Sequence, residues 1–179
     1  IFPAFRLANH FTEQGLNIYM TSDTRGFRFL QETDGIKKIK IPSSSIYGKK
    51  LIEKITSFFI IFYSIIKSIY FLLKIKPSLV FGMGGYSSFP VCVASKLLNI
   101  PLIIYENNLH MGKTNKYLLS FASKAFVSYK ELTGVPEKYQ NKVCGIGNIV
   151  RKEILNFQRK FEKQREKDVL KVLILGGSQ

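Results

Sequence analysis

Three short stretches of this 179-residue sequence combine residue types that suit an anionic or polyhydroxy ligand. In Gly82-Met83-Gly84-Gly85-Tyr86, backbone N–H groups can approach a ligand with no Cβ in the way. A helix starting just beyond would add partial positive charge, so a phosphate suits this loop. The same glycines also suit a tight strand–helix turn that binds nothing. Glu106 could be a general base, could hydrogen-bond sugar hydroxyls, or could simply be solvated. Asn107 and Asn108 offer paired donors and acceptors for a sugar or nucleotide, and equally suit a turn. Arg151 closes the third stretch, Gly145-Ile146-Gly147-Asn148-Ile149-Val150-Arg151, where a surface arginine is its simplest reading. His10 and His110 have no partner at metal-ligand spacing, so no metal site is expected. Cys92 and Cys144 form no CxxC pair and read as buried free thiols. The glycine loop is not the GxGxxG fingerprint, which disfavours a nicotinamide enzyme.

These clusters need elements to position them. Helical spacing of Ala4, Leu7, Ala8 and Phe11 predicts a helix over 4–14 that Gly15 ends. Strands are predicted over 16–21 and 36–41, with a Ser-, Gly- and Lys-containing loop over 42–50. A strand over 78–81, the glycine loop and a helix over 90–98 follow, then a strand over 101–105 ending at Glu106. A helix over 113–121 and strands over 124–128 and near 143–144 complete the pattern. Strands alternating with helices imply an α/β fold, a parallel sheet covered on both faces. All three polar stretches then fall beyond the carboxyl ends of strands, where open parallel sheets bind ligands.

Residues 52–75 are unusual. At 100° per residue, Glu53, Thr56, Ser57, Ser64, Lys67, Ser68 and Lys74 gather in one stripe, and the rest of the circumference is mostly Ile, Leu, Phe and Tyr. That is more apolar face than one sheet contact consumes. A transmembrane helix is the rival reading, opposed by the polar stripe and by the α/β rhythm on both sides.

With 46% apolar and 22% charged residues the chain reads as globular, and its net charge of +15 calls for a negative partner: nucleic acid, an anionic membrane or a phosphorylated substrate. The aromatics sit in the apolar helix and not among exposed Lys and Arg on a sheet face, so nucleic acid ranks last. Residues 152–168 read as a charged linker or helix, and 169–175 as a new strand running into Gly176-Gly177-Ser178-Gln179.

Taken in order, Phe81–Tyr86, Tyr105–Asn108, Leu109–Lys116, Gly147–Arg151 and Gly176–Gln179 resemble the peptidoglycan N-acetylglucosaminyltransferases, with their GMGGY, HEQN, G-x-TNK, GNPVR and GGSQGA segments. Ile1-Phe2-Pro3-Ala4 looks like the tail of that family's first loop, GGTGGH[IV]FPA. The resemblance implies the Rossmann-like N-terminal domain of a two-domain GT-B glycosyltransferase. Residues 1–151 would be the acceptor-binding domain with its first strand missing, 152–168 the interdomain linker, and 169–179 the first strand and loop of a truncated donor domain. It further implies transfer of N-acetylglucosamine from UDP-N-acetylglucosamine to the C4 hydroxyl of the muramyl sugar of undecaprenyl-pyrophosphoryl-muramoyl-pentapeptide (lipid I to lipid II), with inversion and with no chelated metal or other cofactor. By matching positions, Asn108, Arg151 and Ser178 would contact the donor nucleotide, and Gly84, Gly85, Tyr86 and Asn115 the acceptor and its pyrophosphate. Glu106 would support them. The family's proposed catalytic base, a His in the first loop, has no counterpart here, and this stretch alone is expected to be inactive. Three positions depart from the pattern: Tyr105 for His, Asn107 for Gln and Ile149 for Pro.

The resemblance also implies a peripheral protein on the cytoplasmic face of the bacterial inner membrane. Nine lysines between Lys37 and Lys76 stand against Glu53 alone, and basic groups beside an apolar face suit an anionic surface. Phe58, Phe59, Phe62, Ile65 and Ile66 are the candidates for lipid contact, unless they are all core. Two alternatives keep the fold: another lipid-directed GT-B enzyme, such as a diacylglycerol glycosyltransferase, and a non-catalytic subunit that recruits a glycosyltransferase to the membrane.

Overall fold

The computed structural model describes residues 2–30, 35–46 and 48–150. The expected linker and second-domain strand, and with them Arg151 and Ser178, lie outside the described residues. Helix α1 (Phe2–Glu13) turns Ala4, Phe5 and Ala8 onto Met20 and Ile36 of strands β1 (Ile18–Ser22) and β2 (Ile36–Lys40). Gly15 at φ +82° ends it, a conformation that glycine adopts without strain. A short helix that the spacing did not predict, α2 (Thr24–Phe27), follows β1. It forms because Asp23 caps it, accepting the Gly26 N–H at 2.9 Å.

Helix α3 (Leu51–Ile75) ends where Lys76 takes φ 51° and returns its N–H to Leu72 O at 2.8 Å, just before Pro77. Strand β3 (Val80–Gly82), helix α4 (Phe89–Leu97), strand β4 (Leu102–Glu106), helix α5 (Lys113–Leu118) and strand β5 (Lys124–Val127) give the expected alternation. A 3-10 turn over Glu137–Lys142 then leads into strand β6 (Val143–Gly145). Lys142 Nζ donates to the carbonyls of Leu119 at 3.1 Å and Ala122 at 2.7 Å, closing the carbonyl end left open after α5. All described pairings are parallel, but they form two ladders and not one: β1-β2, and β3-β4-β5-β6. The two are separated in the chain by the long α3 crossover. The main core lies on the larger sheet, where Leu102, Ile104, Tyr105, Ala125 and Val127 are at most 1% exposed.

The structure turns the serine side of α3 inward. The helix packs on α4, and Ser57, Ser64 and Ser68 are buried. Each hydroxyl donates to the carbonyl four residues back, at 2.7, 2.7 and 2.6 Å, so burial leaves it satisfied. Helix α4, on which α3 packs, carries small residues that are fully buried as well, Ala94 and Ser95. The other members of the polar stripe behave differently. Glu53, Thr56 and Lys74 are exposed, and Lys67 bridges to Lys40 O at 3.0 Å. The opposite, apolar face carries Leu51, Ile52, Ile55, Phe58, Phe59, Phe62, Tyr63, Ile66, Tyr70 and Leu73, all more than half exposed. Ile65 is half-buried beside them.

One expectation for the thiols is corrected. Cys92 is buried, and burial pushes its thiol up to about 12 against a small opposing hydrogen bond from Ser88. Cys144 is exposed, because β6 is a three-residue edge strand with one paired side. Iodoacetamide at neutral pH is therefore expected to label Cys144 in the folded protein and Cys92 only after denaturation. Peptide mass analysis checks this, and equal labelling of both thiols in the folded state would contradict it.

Candidate functional site

Glu106 ends β4 and is the hub of the site. Its side chain is only 4% exposed, and both carboxylate oxygens are occupied. Oε1 accepts from Asn108 N at 3.1 Å and Asn108 Nδ2 at 2.7 Å. Oε2 accepts from Gly112 N and from Asn115 Nδ2, each at 2.9 Å. Four donors converge on one buried carboxylate. The group is therefore neither solvated nor placed to take a proton from a substrate. It braces the segment 107–115 against the carboxyl end of the sheet.

Asn115 completes the brace. Its Nδ2 also donates to Tyr105 O at 2.9 Å, so both amide protons of this residue, expected to bind the acceptor and its pyrophosphate, are committed within the protein. Its Oδ1 is buried without a hydrogen-bond partner. A Cβ at Gly84 would lie 3.0 Å from Asn115 Nδ2, and Gly84 and Gly85 have φ of +74° and +75°. Position 84 thus needs glycine twice over, for its backbone and for the approach of Asn115. Ser88 Oγ donates to Gly84 O at 3.0 Å and ties the loop to the start of α4.

The brace and the loop enclose a cavity of about 310 Å³, lined by Met83–Tyr86, Glu106–Asn108 and Gly112–Asn115. Gly84, Gly85, Tyr86, Glu106, Asn108 and Asn115 are thereby brought together from three separate stretches. A second cleft of about 480 Å³ shares Gly85 and Tyr86 and extends to Met20–Asp23, Arg25 and Gly26. Sequence reasoning passed over this side. Its signal was Asp23 directly before Thr24-Arg25-Gly26, a helix cap beside a cation. Burial works to raise the Asp23 carboxyl, but the Gly26 N–H, the Arg25 guanidinium and the Ser43 hydroxyl outweigh it and hold the group below its ordinary value.

Tyr105 was noted only as a departure from a motif. It is 1% exposed and its hydroxyl meets Ser128 Oγ at 2.6 Å, Asn107 Oδ1 at 3.2 Å, Gly147 O at 3.2 Å and Ile149 N at 3.2 Å. It thus joins the ends of β4 and β5 to the turn that precedes Arg151.

With this geometry in place, three comparisons bear on it. Residues 1–127 match the family model described as the glycosyltransferase family 28 N-terminal domain. The chain is 34% identical over its whole length to the UDP-N-acetylglucosamine–N-acetylmuramyl-(pentapeptide) pyrophosphoryl-undecaprenol N-acetylglucosamine transferase of Pelagibacter ubique, covering 49% of it. It is 35% identical to the protein of the same name from Francisella tularensis, again over the whole chain and 49% of the relative. The chain therefore spans about half the length of the curated relatives it matches. The crystal structure of Acinetobacter baumannii MurG superposes with a TM-score of 0.67 and 25% identity, over 80% of this chain and 41% of that one.

Proposed function

The chain belongs to glycosyltransferase family 28, whose N-terminal domain it carries, and from that premise we propose that it is the acceptor-binding half of a peptidoglycan N-acetylglucosaminyltransferase. The parent enzyme moves N-acetylglucosamine from UDP-N-acetylglucosamine to the C4 hydroxyl of the muramyl sugar of undecaprenyl-pyrophosphoryl-muramoyl-pentapeptide. The observation that carries this reading is the braced cavity, in which a glycine loop with left-handed backbone faces Asn108 across the ends of two parallel strands. The names of the relatives give the donor and acceptor.

In this reading Gly84, Gly85 and Tyr86 cradle the acceptor's pyrophosphate, with Asn115 shaping the loop from behind. Asn108, held by Glu106, binds the UDP-sugar together with Arg151 and Ser178. The acceptor oxygen attacks the anomeric carbon as its bond to UDP breaks, which inverts the centre. Backbone N–H groups and fixed dipoles stabilise the departing diphosphate, which is chemistry that needs no chelated metal. The exposed face of α3 holds the domain on the anionic cytoplasmic leaflet of the inner membrane, where the lipid acceptor resides.

The test is a transfer assay with the complete protein, labelled UDP-N-acetylglucosamine and a short-chain lipid I analogue. Label is expected on the muramyl sugar with inverted configuration. Transfer to diacylglycerol instead would support a different lipid-directed enzyme, and donor binding with no transfer to any lipid would support a recruiting subunit.

A further inference from the structure

The three departures from the family pattern, Tyr105, Asn107 and Ile149, meet at one point in space. Tyr105 Oη accepts the Ile149 N–H at 3.2 Å, lies 3.2 Å from both Asn107 Oδ1 and Gly147 O, and is 2.6 Å from Ser128 Oγ. Ser128 Oγ also lies 3.0 Å from Asn107 Oδ1. Each hydroxyl has one proton and two lone pairs, so the two protons serve two of these oxygen contacts at a time. In the set that satisfies the shortest contact, the Ile149 N–H and the Ser128 hydroxyl both donate to Oη and the phenolic proton goes to Gly147 O.

Among the described residues, few other groups hold the turn that Tyr105 grips. Gly147 sits at φ +82°, residues 146–150 have no regular structure, and the flanking ties are Ile146 N to Val127 O at 2.9 Å and Asn148 Nδ2 to Tyr129 Oη at 3.4 Å. Among the described residues, Tyr105 alone bonds on both sides of Asn148, at 147 and 149. A proline at 149 would lack the N–H that makes the second of these bonds. A turn of Gly-Asn-Ile is therefore fixed here by a hydroxyl reaching out of the sheet, in place of a ring that restricts φ.

We infer that Tyr105 is a positioning residue for the donor half-site: its hydroxyl fixes the 147–149 turn, and UDP-sugar affinity depends on that bond although the tyrosine touches no ligand. The inference rests on the glycosyltransferase reading, because the turn matters to the donor through Arg151, two residues beyond Ile149. Asn107, on the same hydroxyl network, adjoins Asn108, so the network also borders the second donor contact.

The complete protein is compared with its Tyr105→Phe and Ile149→Pro variants and with the double variant. Phe keeps the ring that fills the core and deletes only the hydroxyl. Amide exchange over 145–150, measured without ligand, is expected to accelerate about tenfold or more in Tyr105→Phe. Affinity for UDP, measured by calorimetry, is expected to fall about tenfold, the effect of one lost hydrogen bond of ordinary strength. KM for the lipid acceptor is expected to stay within twofold. Ile149→Pro removes the donor side of the same bond from a half-buried loop, so the two losses of UDP affinity are expected not to add. Unchanged exchange overturns the clamp. Faster exchange with unchanged UDP affinity, a parallel rise in both KM values, or fully additive losses overturns its link to the donor. Wild-type protein that binds UDP but transfers no sugar would refute the proposed reaction and leave this inference standing.

Discussion

Glu106→Gln is expected to destabilise the domain by about 3 kcal/mol and to weaken donor binding together with folding stability. The carboxylate receives four hydrogen bonds, two on each oxygen, from Asn108 N and Nδ2 and from Gly112 N and Asn115 Nδ2. A carboxamide replaces one acceptor oxygen with an NH2 group. Whichever way it is turned, that group faces two N–H donors at about 3 Å. Two bonds are lost and the donors on that side lose their acceptor in a site that is 4% exposed. Buried donors left unsatisfied cost about 1–3 kcal/mol each, and bonds to a charged acceptor lie at the upper end. Relaxation offsets part of this, which is why the sum stays near 3. Urea denaturation of the folded protein reads the effect directly. A general base would behave otherwise: Gln would lower kcat by orders of magnitude and leave the denaturation midpoint in place. That outcome would overturn the bracing role.

Parts of this arrangement were legible in the sequence. Glu106 closes an apolar run, Leu102-Ile103-Ile104-Tyr105, so its place at a strand's carboxyl end followed from pattern alone. Gly82–Tyr86 between a strand and Pro90 likewise announced a loop at the same edge. Its bonding did not follow, because Gly112 N and Asn115 Nδ2 arrive from six and nine residues downstream, through a loop whose path no periodicity encodes. Strand bounds were accurate to a residue or two for the same reason that the α/β rhythm was: apolar runs must be buried between layers. The exposed face of α3 was legible in part, since Phe58, Phe59, Phe62 and Ile66 were named as candidates for lipid contact and are more than half exposed; the buried serine face was not. Hydrophobic pattern places apolar residues inward, and here the inward stripe holds Ser57, Ser64 and Ser68, because a serine can satisfy its hydroxyl on its own helix. Tyr105 was visible only as an anomaly against a motif, since its four partners lie on three different segments.

The inverted α3 leads to the second large effect. Phe62→Asp combined with Ile66→Asp is expected to reduce binding of the complete protein to anionic phospholipid vesicles about a hundredfold or more, with little change in thermal stability. The exposed stripe from Leu51 to Leu73 is roughly 140° wide at 100° per residue. Lys54 flanks one side, and Lys67 and Lys74 the other. Helix α3 is long and apolar enough to cross a bilayer, yet its serine face is already packed on α4, so lipid cannot surround it while the domain is folded. An orientation along the membrane surface satisfies both faces, with apolar side chains in the interface and lysines at the headgroups. Fully withdrawing a large apolar side chain from water contributes about 1.5–3 kcal/mol, so Phe62 and Ile66, each about half exposed, together supply about 1.5–3 kcal/mol of the roughly 2.8 kcal/mol that a hundredfold requires. The new carboxylates add repulsion from anionic lipid. Folding should tolerate the change, because Phe62 and Ile66 are 56% and 52% exposed. Ser64→Asp is the opposite control: it places a charge in a fully buried seam, so it should unfold the domain. Vesicle sedimentation at two salt concentrations separates the apolar from the electrostatic terms, since salt screens the lysine attraction and the carboxylate repulsion but not the apolar burial. Equal vesicle binding by wild type and the double Asp variant would mean that the stripe serves some contact other than lipid.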